Sequence, residues 1–264
     1  MTSPLSPHTW SSWSYDSSGR KNKAKRPIDI LIGCPIQQRD WIIDDWFWYV
    51  MAACKVADLK PGFIFVMDPK EEPLNSMIHN LCRLNNVDLW VGEVVEEDRT
   101  DERDWNVIRY EKMVELRNAL LQGVRDVAPP LFLSLDSDIL LAPDALKSMV
   151  ENLSHDEWDA IGGKTYMTHT GKEYPSYGIL NDGFGMIRRQ EADGVFEVDV
   201  IMAIKLMKPK AYAVDYKVDV QGEDIGWSRN CKDACLKLRW DGTYASKHVM
   251  RKDDKDKIDV RVGY

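Results

Sequence analysis

Two carboxylates one residue apart, Asp136 and Asp138, stand directly after the apolar run Leu131-Phe132-Leu133-Ser134-Leu135. Such a pair is a compact set of hard oxygen donors. Mg2+ and Mn2+ take such donors and complete their shells with phosphate oxygens and water. Placing two carboxylates together in a crevice without a cation is costly, because like charges repel and both lose hydration. The bland alternative is that Asp136 caps the segment that follows and Asp138 stays solvated, since a bare Asp-x-Asp is common. What favours chemistry is the placement, after an apolar strand and before Ile139-Leu140-Leu141-Ala142-Pro143-Asp144.

The elements that must hold this pair alternate in type. Ile28–Cys34 reads as a buried strand closed by Pro35, and residues 39–57 as a helix with Ile42, Ile43, Trp46, Phe47 and Val50 at helical spacing. The three tryptophans of that helix could stack on a sugar, but core packing is the simpler use. Phe63–Met67 is a second strand, ended by Asp68-Pro69, and residues 71–85 a helix. Val87–Val91 is a third strand, residues 105–126 a long helix, and Leu131–Leu135 a fourth strand, buried on both faces. Strands alternating with helices imply an α/β fold, a Rossmann-type domain with a mixed, mainly parallel sheet flanked by helices. Parallel strands put their C-terminal ends on one side, where open α/β sheets bind ligands, so Asp68 and Asp136 should face one crevice.

Further on, Trp158–Gly163 reads as a strand and residues 165–182 as a Tyr-, Thr- and Gly-rich loop region. Val195–Met207 and Asp224–Cys235 read as helices. Gly183 and Gly185 read as loop glycines. Residues 1–26 are Ser-rich, end in the basic run Arg20–Arg26 and read as a disordered tail, although Trp10, Trp13 and Tyr15 could dock on the domain. The domain then spans residues 27–250, and residues 251–264 form a charged arm.

The ordered series of motifs resembles GT-A type glycosyltransferases, in particular the large inverting family that uses nucleotide-diphosphate sugars. Asp136-Ser137-Asp138 ends the fourth strand, as the family's Asp-x-Asp does. Leu116-Arg117-Asn118-Ala119-Leu120 is similar to the Arg-Asn signature shortly before it. Asp68 stands where the family places a base-recognising Asp, and Ile30–Pro35 resembles its opening strand and Pro turn. Gly222-Glu223-Asp224, with Trp227 and Arg229 behind it, resembles the Glu-Asp motif that supplies the catalytic base. His248, after Leu238-Arg239-Trp240, resembles a C-terminal third metal ligand. Two departures stand out: Asp68-Pro69-Lys70 replaces the usual Asp-Asp-Gly-Ser, and Gln37-Gln38-Arg39 replaces a Tyr-Asn in the opening loop.

The resemblance implies a specific division of labour. Asp136, Asp138 and His248 hold Mn2+ or Mg2+. Asp68, Arg117, Pro35 and Asp136 bind the nucleotide-diphosphate sugar donor. Asp224, with Glu223 beside it, takes the proton of an acceptor hydroxyl on a glycan, a small molecule or a modified nucleic acid. The expected reaction is sugar transfer with inversion. Each residue also has a plainer reading: Asp224 as a helix-start acid, His248 as a surface histidine, Arg117 as a partner of Glu111 or Glu115. Two rivals remain. A sugar-phosphate nucleotidyltransferase would want a Gly-rich phosphate loop, where Cys34-Pro35-Ile36-Gln37-Gln38-Arg39 has none. A non-catalytic nucleotide-sugar or glycan-binding module would have no use for the base and metal ligands.

Bulk properties exclude other classes. A net charge of −8 argues against nonspecific nucleic-acid binding. Five cysteines without a Cys-x-x-Cys pair point to free thiols in a reducing compartment. No run approaches the roughly 18 apolar residues of a membrane span, and the first two dozen residues hold no apolar signal-peptide core. The expectation is a soluble, cytoplasmic protein.

Overall fold

The computed structural model describes residues 10–15, 21–22, 26–94, 107–155, 157–169, 172–181, 185–187 and 191–257. The first half runs β1 (Trp10–Tyr15), β2 (Lys21–Asn22), β3 (Ile30–Pro35), α1 (Ile43–Val56), β4 (Pro61–Met67), α2 (Leu74–Asn85), β5 (Asp88–Glu93), α3 (Val107–Val127) and β6 (Leu131–Leu135). It continues with β7 (Ile139–Leu140), α4 (Ala145–Leu153), β8 (Ala160–Lys164), β9 (Tyr166–His169), β10 (Lys172–Pro175), β11 (Tyr177–Asn181) and β12 (Gly185–Ile187). The last part holds β13 (Val195–Val198), β14 (Val200–Ile201), β15 (Ile204–Met207), α5 (Pro209–Tyr212), α6 (Glu223–Asp233), β16 (Leu238–Ala245) and β17 (Lys247–His248).

Ten strands make one mixed sheet in the order β13-β16-β8-β15-β6-β3-β4-β5-β1-β2. Its centre, β6-β3-β4-β5, is parallel. β15 runs antiparallel between β6 and β8, and β16 is parallel to β8. Seven strands therefore share one direction, and only β1, β13 and β15 oppose it. The period-two alternation of the central strands feeds two apolar layers. Ile30, Ile32, Phe63 and Phe65 pack with α1, α2 and α4 on one face; Leu31, Ile64 and Phe132 pack with α3, α5 and α6 on the other. Parallel strands with both faces covered are the α/β arrangement the sequence implied.

Two segments differ from the sequence reading. Val195–Met207, expected as a helix, forms the short strands β13, β14 and β15. Its apolar residues from Val198 to Met207 are all buried, and apolar content alone does not tell a buried strand from a helix. Residues 165–182, expected as a loop region, carry β9, β10 and β11, in keeping with the β-preference of their Tyr and Thr residues.

The stretch read as a tail also contains structure. β1 pairs antiparallel with β5, placing Trp10 opposite Gly92. The Trp10 ring occupies the space of two missing side chains: a Cβ on Gly92 would lie 2.9 Å from it, and one on Gly123 of α3 only 2.4 Å. Trp13 meets His79 edge-on at 4.6 Å, and the Tyr15 hydroxyl lies 2.6 Å from His79 Nδ1. The basic residues Arg20, Lys23 and Lys25 lie outside the described residues, as do residues 258–264 of the charged arm, whose described part ends in a 3-10 turn at Lys252–Lys257. Trp10→Ala should lower unfolding free energy by ~2–3 kcal/mol, somewhat less than truncation of a fully buried tryptophan. Urea denaturation checks this, and a midpoint equal to wild type would show that the contact adds nothing.

Candidate functional site

The site is assembled around α3. Arg117 and Asn118 are adjacent on that helix and do different work. Asn118 clamps the loop before α6, donating from Nδ2 to the Tyr216 carbonyl at 3.0 Å and accepting the Tyr216 N–H at 2.7 Å. Arg117 turns inward, with a side chain only 5% exposed. Its Nη2 donates to Asp136 Oδ1 at 2.9 Å and its Nε to Glu223 Oε1 at 3.2 Å, with Asp224 Oδ1 4.0 Å away. One guanidinium thus brings together the acid at the end of β6 and the acids at the start of α6, residues more than 80 positions apart in the chain.

The turn after β6 is fixed from several sides. Asp136 N–H donates to the Ala203 carbonyl at 3.0 Å, and the buried indole of Trp46 donates to the Asp136 carbonyl at 3.1 Å. Trp46 is therefore a core and anchoring residue of α1, the simpler of its two sequence readings. Beyond the turn, β7 pairs antiparallel with β17, setting His248 opposite Ile139. The Val249 N–H reaches the Asp138 carbonyl at 2.8 Å. Asp138 then lies between two groups: Arg39 Nη2 at 2.9 Å from Oδ2, and His248 Nε2 at 3.5 Å from Oδ1. His248 Nδ1 is 3.1 Å from the Tyr166 carbonyl. A carbonyl only accepts, so Nδ1 carries the proton of that bond, and a neutral ring keeps its lone pair on Nε2, toward Asp138. Burial works against the imidazolium, but Asp138 outweighs it and raises the His248 pKa above the ordinary value.

α6 begins at Gly222, whose φ of 122° is a conformation that side chains strain to adopt. Glu223 and Asp224 follow directly. Burial and the neighbouring Asp224 charge push the Glu223 pKa up, against the pull of Arg117. For Asp224, burial also acts upward, but Lys205 and Arg117 outweigh it and hold the carboxyl below the usual range. Lys205 comes from β15, is fully buried, and places Nζ 2.6 Å from Asp224 Oδ1. It was not singled out in the sequence. The available signal was a charge inside the apolar run Val200-Ile201-Met202-Ala203-Ile204-Lys205-Leu206-Met207.

Asp136, Asp138 and His248 suit a hard divalent cation in kind: two carboxylates, and an imidazole oriented through its other nitrogen. Among the described residues, however, no three His, Cys, Asp or Glu side chains converge as a ready cation cage. Each carboxylate instead has a guanidinium, Arg117 on Asp136 and Arg39 on Asp138. Asp68 follows β4 and is buried, with Oδ1 accepting the Lys70 N–H at 2.8 Å. Pro35 ends the adjacent β3, opposite Val66. A bond from the Gln38 N–H to Glu71 Oε1 ties the loops after β3 and β4 together. Asp68, Pro35, Asp136 and Asp138 thus lie at the C-terminal ends of parallel strands, on one side of the sheet. Gly183 lies outside the described residues. No helix among the described residues is long and apolar enough to cross a membrane.

Residues 91–211 match the family model described as Glycosyl transferase family 2. That segment contains Arg117, Asp136, Asp138 and Lys205 and ends before Glu223, Asp224 and His248. No curated protein sequence matches the chain. Among solved structures, the mannosyltransferase PcManGT from Pyrobaculum calidifontis, in complex with GDP-Man and Mn2+, is similar at 12% identity and a TM-score of 0.55, covering 86% of this chain and 58% of that one. S. aureus TarS 1-349 in complex with UDP-GlcNAc is similar at 12% identity and 0.54, covering 84% and 59%. GalNAc-T7 with UDP, GalNAc and Mn2+ is similar at 12% identity and 0.57, covering 90% and 47%. The chain spans less than two thirds of each of these proteins. The shared architecture is the GT-A glycosyltransferase fold.

Proposed function

We propose, from a family 2 glycosyltransferase segment on a GT-A fold, that the chain transfers a sugar from a nucleotide-diphosphate sugar to an acceptor hydroxyl, with inversion at the anomeric carbon. The observation that carries this reading is the Arg117 junction. It sets the Asp-x-Asp turn of β6 and the acidic start of α6 side by side, one group for the donor diphosphate and the other for the acceptor. Solved neighbours that contain GDP-Man, UDP-GlcNAc or UDP support the donor class, and Mn2+ in two of them supports the metal.

In this reading Asp136, Asp138 and His248 hold the divalent ion, which supplies charge neutralisation at the leaving diphosphate. Pro35 and Asp68, at the ends of neighbouring parallel strands, line the nucleotide side. Arg117 keeps the cluster together and adds positive charge beside the diphosphate. Asp224, ionised through the neutral range, accepts the hydroxyl proton as the acceptor oxygen attacks the anomeric carbon and the bond to the diphosphate breaks. Glu223 orients the acceptor. The acceptor carries a free hydroxyl and is a glycan, a small molecule or a modified nucleic acid. The cysteines of the described structure are all unpaired thiols, four of them buried, which supports a cytoplasmic setting.

A thermal-shift screen of nucleotide sugars with Mn2+ tests the proposal. A true donor raises the melting temperature by mass action on the native state, and EDTA should remove both the shift and donor turnover. If no nucleotide sugar shifts the melt with Mn2+ present, the donor assignment falls. A donor that binds but is neither transferred nor hydrolysed would favour a binding module.

A further inference from the structure

The two acids at the start of α6 are not held alike. Glu223 shares Arg117 with Asp136, whereas Asp224 has a cation of its own. Lys205 stands on β15 in register with Ser134 of β6, two residues before Asp136. Its Nζ is 2.6 Å from Asp224 Oδ1, and the rings of Tyr216 and Trp227 lie 5.6 and 6.0 Å from it. An ammonium inside a sheet loses its hydration, and a buried ion pair usually stabilises a fold no better than an apolar pair of the same size. Core packing alone would be served as well by leucine or methionine at this position of the apolar strand. The same strand start makes a second contact. Ala203, in the left-handed region at φ 55°, accepts the Asp136 N–H with its carbonyl and donates its own N–H to the Asp224 carboxylate. The carboxylate on α6 and the Asp-x-Asp turn are therefore gripped by one piece of backbone.

Resting on the proposed base role of Asp224, we infer that Lys205 is a positioning residue for sugar transfer, holding the Asp224 carboxylate in place beside the acceptor and in fixed relation to the Asp136 turn. The groups facing Asp224 are Lys205 from β15, Arg117 from α3, Tyr216 from the loop before α6, and Glu223 on its own helix. With Lys205 gone, Arg117 is the one cation of this set, and it is shared with Asp136 and Glu223. The base then gains mobility and takes up a proton at higher pH.

The experiment compares Lys205→Met, Lys205→Arg and Asp224→Asn in the full chain, with donor binding measured beside transfer. Lys205→Met should bind nucleotide and Mn2+ within about threefold of wild type, since the ion pair it breaks is with Asp224 and not with Asp136, Asp138 or His248. It should lower kcat about tenfold or more and move the acid limb of kcat/KM up by about one pH unit, the scale of losing one opposite charge. Lys205→Arg should recover part of kcat. Wild-type kcat and an unmoved acid limb in Lys205→Met, with Asp224→Asn inactive, would overturn the inference and leave the base assignment standing. An active Asp224→Asn would instead remove the base assignment, and the inference with it. Should Lys205→Met fail to fold, Lys205→Gln keeps a hydrogen-bond donor without the charge, and its pH profile decides by the same criteria.

Discussion

Asp224→Asn is expected to keep nucleotide and Mn2+ binding while transferring sugar at least about a hundredfold more slowly, the lower end of what a positioned base contributes. An acceptor hydroxyl is a poor nucleophile at neutral pH, so its proton must leave as the new bond forms. Asparagine keeps the size of aspartate but cannot take that proton, so the loss falls on turnover and not on the donor. The change also strands Lys205, which is fully buried. Removing one partner of a buried pair costs about 3–5 kcal/mol, so the melting temperature should drop as well. Donor affinity measured below that temperature separates a dead site from a lost fold. Glu223→Gln should chiefly raise the acceptor KM. If Glu223→Gln is inactive and Asp224→Asn is not, the two roles are exchanged. If both variants work, the pair merely starts the helix.

The second large effect is at Asp138. Asp138→Asn should abolish transfer, to the level that wild type shows in EDTA. Asp138 is wedged between Arg39 and His248, with a side chain 14% exposed, and a neutral amide there is a far weaker ligand for a hard cation than a carboxylate. His248→Ala should weaken the Mn2+ titration more than it weakens acceptor binding, since His248 Nε2 faces Asp138. Full activity of wild type in EDTA, or of Asp138→Asn with Mn2+, would remove the metal from the mechanism. An unchanged metal titration in His248→Ala would leave that histidine a structural role, holding the Tyr166 carbonyl.

How far the sequence led can be traced residue by residue. The strand end at Leu135, with Asp136 and Asp138 in the turn after it, was legible because an apolar run of strand length closed by polar residues reads as a buried strand leaving the sheet. The helix starting at Glu223 was legible from Gly222 and the acids behind it. Lys205 was hidden by a wrong period: Val195–Met207 looked helical, and a helix would have turned that lysine to a different neighbour. Arg117 was noticed, but pairings within α3 at Glu111 or Glu115 were the plain reading. Its partners Asp136 and Glu223 are 19 and 106 residues away, and local spacing says nothing about such contacts. Trp10 was equally opaque, because what receives it is the absence of side chains at Gly92 and Gly123.

The strand that carries Trp10 has a bearing on solubility. β5 holds Leu89, Trp90 and Val91 in a row, with β4 on one flank and β1 on the other. Without β1, one whole flank of β5 would show unpaired N–H and C=O groups along an apolar strand, a template on which another molecule's strand can pair. With β1 in place, the sheet ends on that side in the two residues of β2, one of them a lysine, and on the other in the four of β13. β2 covers β1 only at Ser14 and Tyr15; both outermost strands are short, which is one way that sheets limit pairing with other chains. The N-terminal segment thus shields one flank of β5 from strand pairing with another molecule, a service to the whole chain quite separate from anything done at the carboxylates.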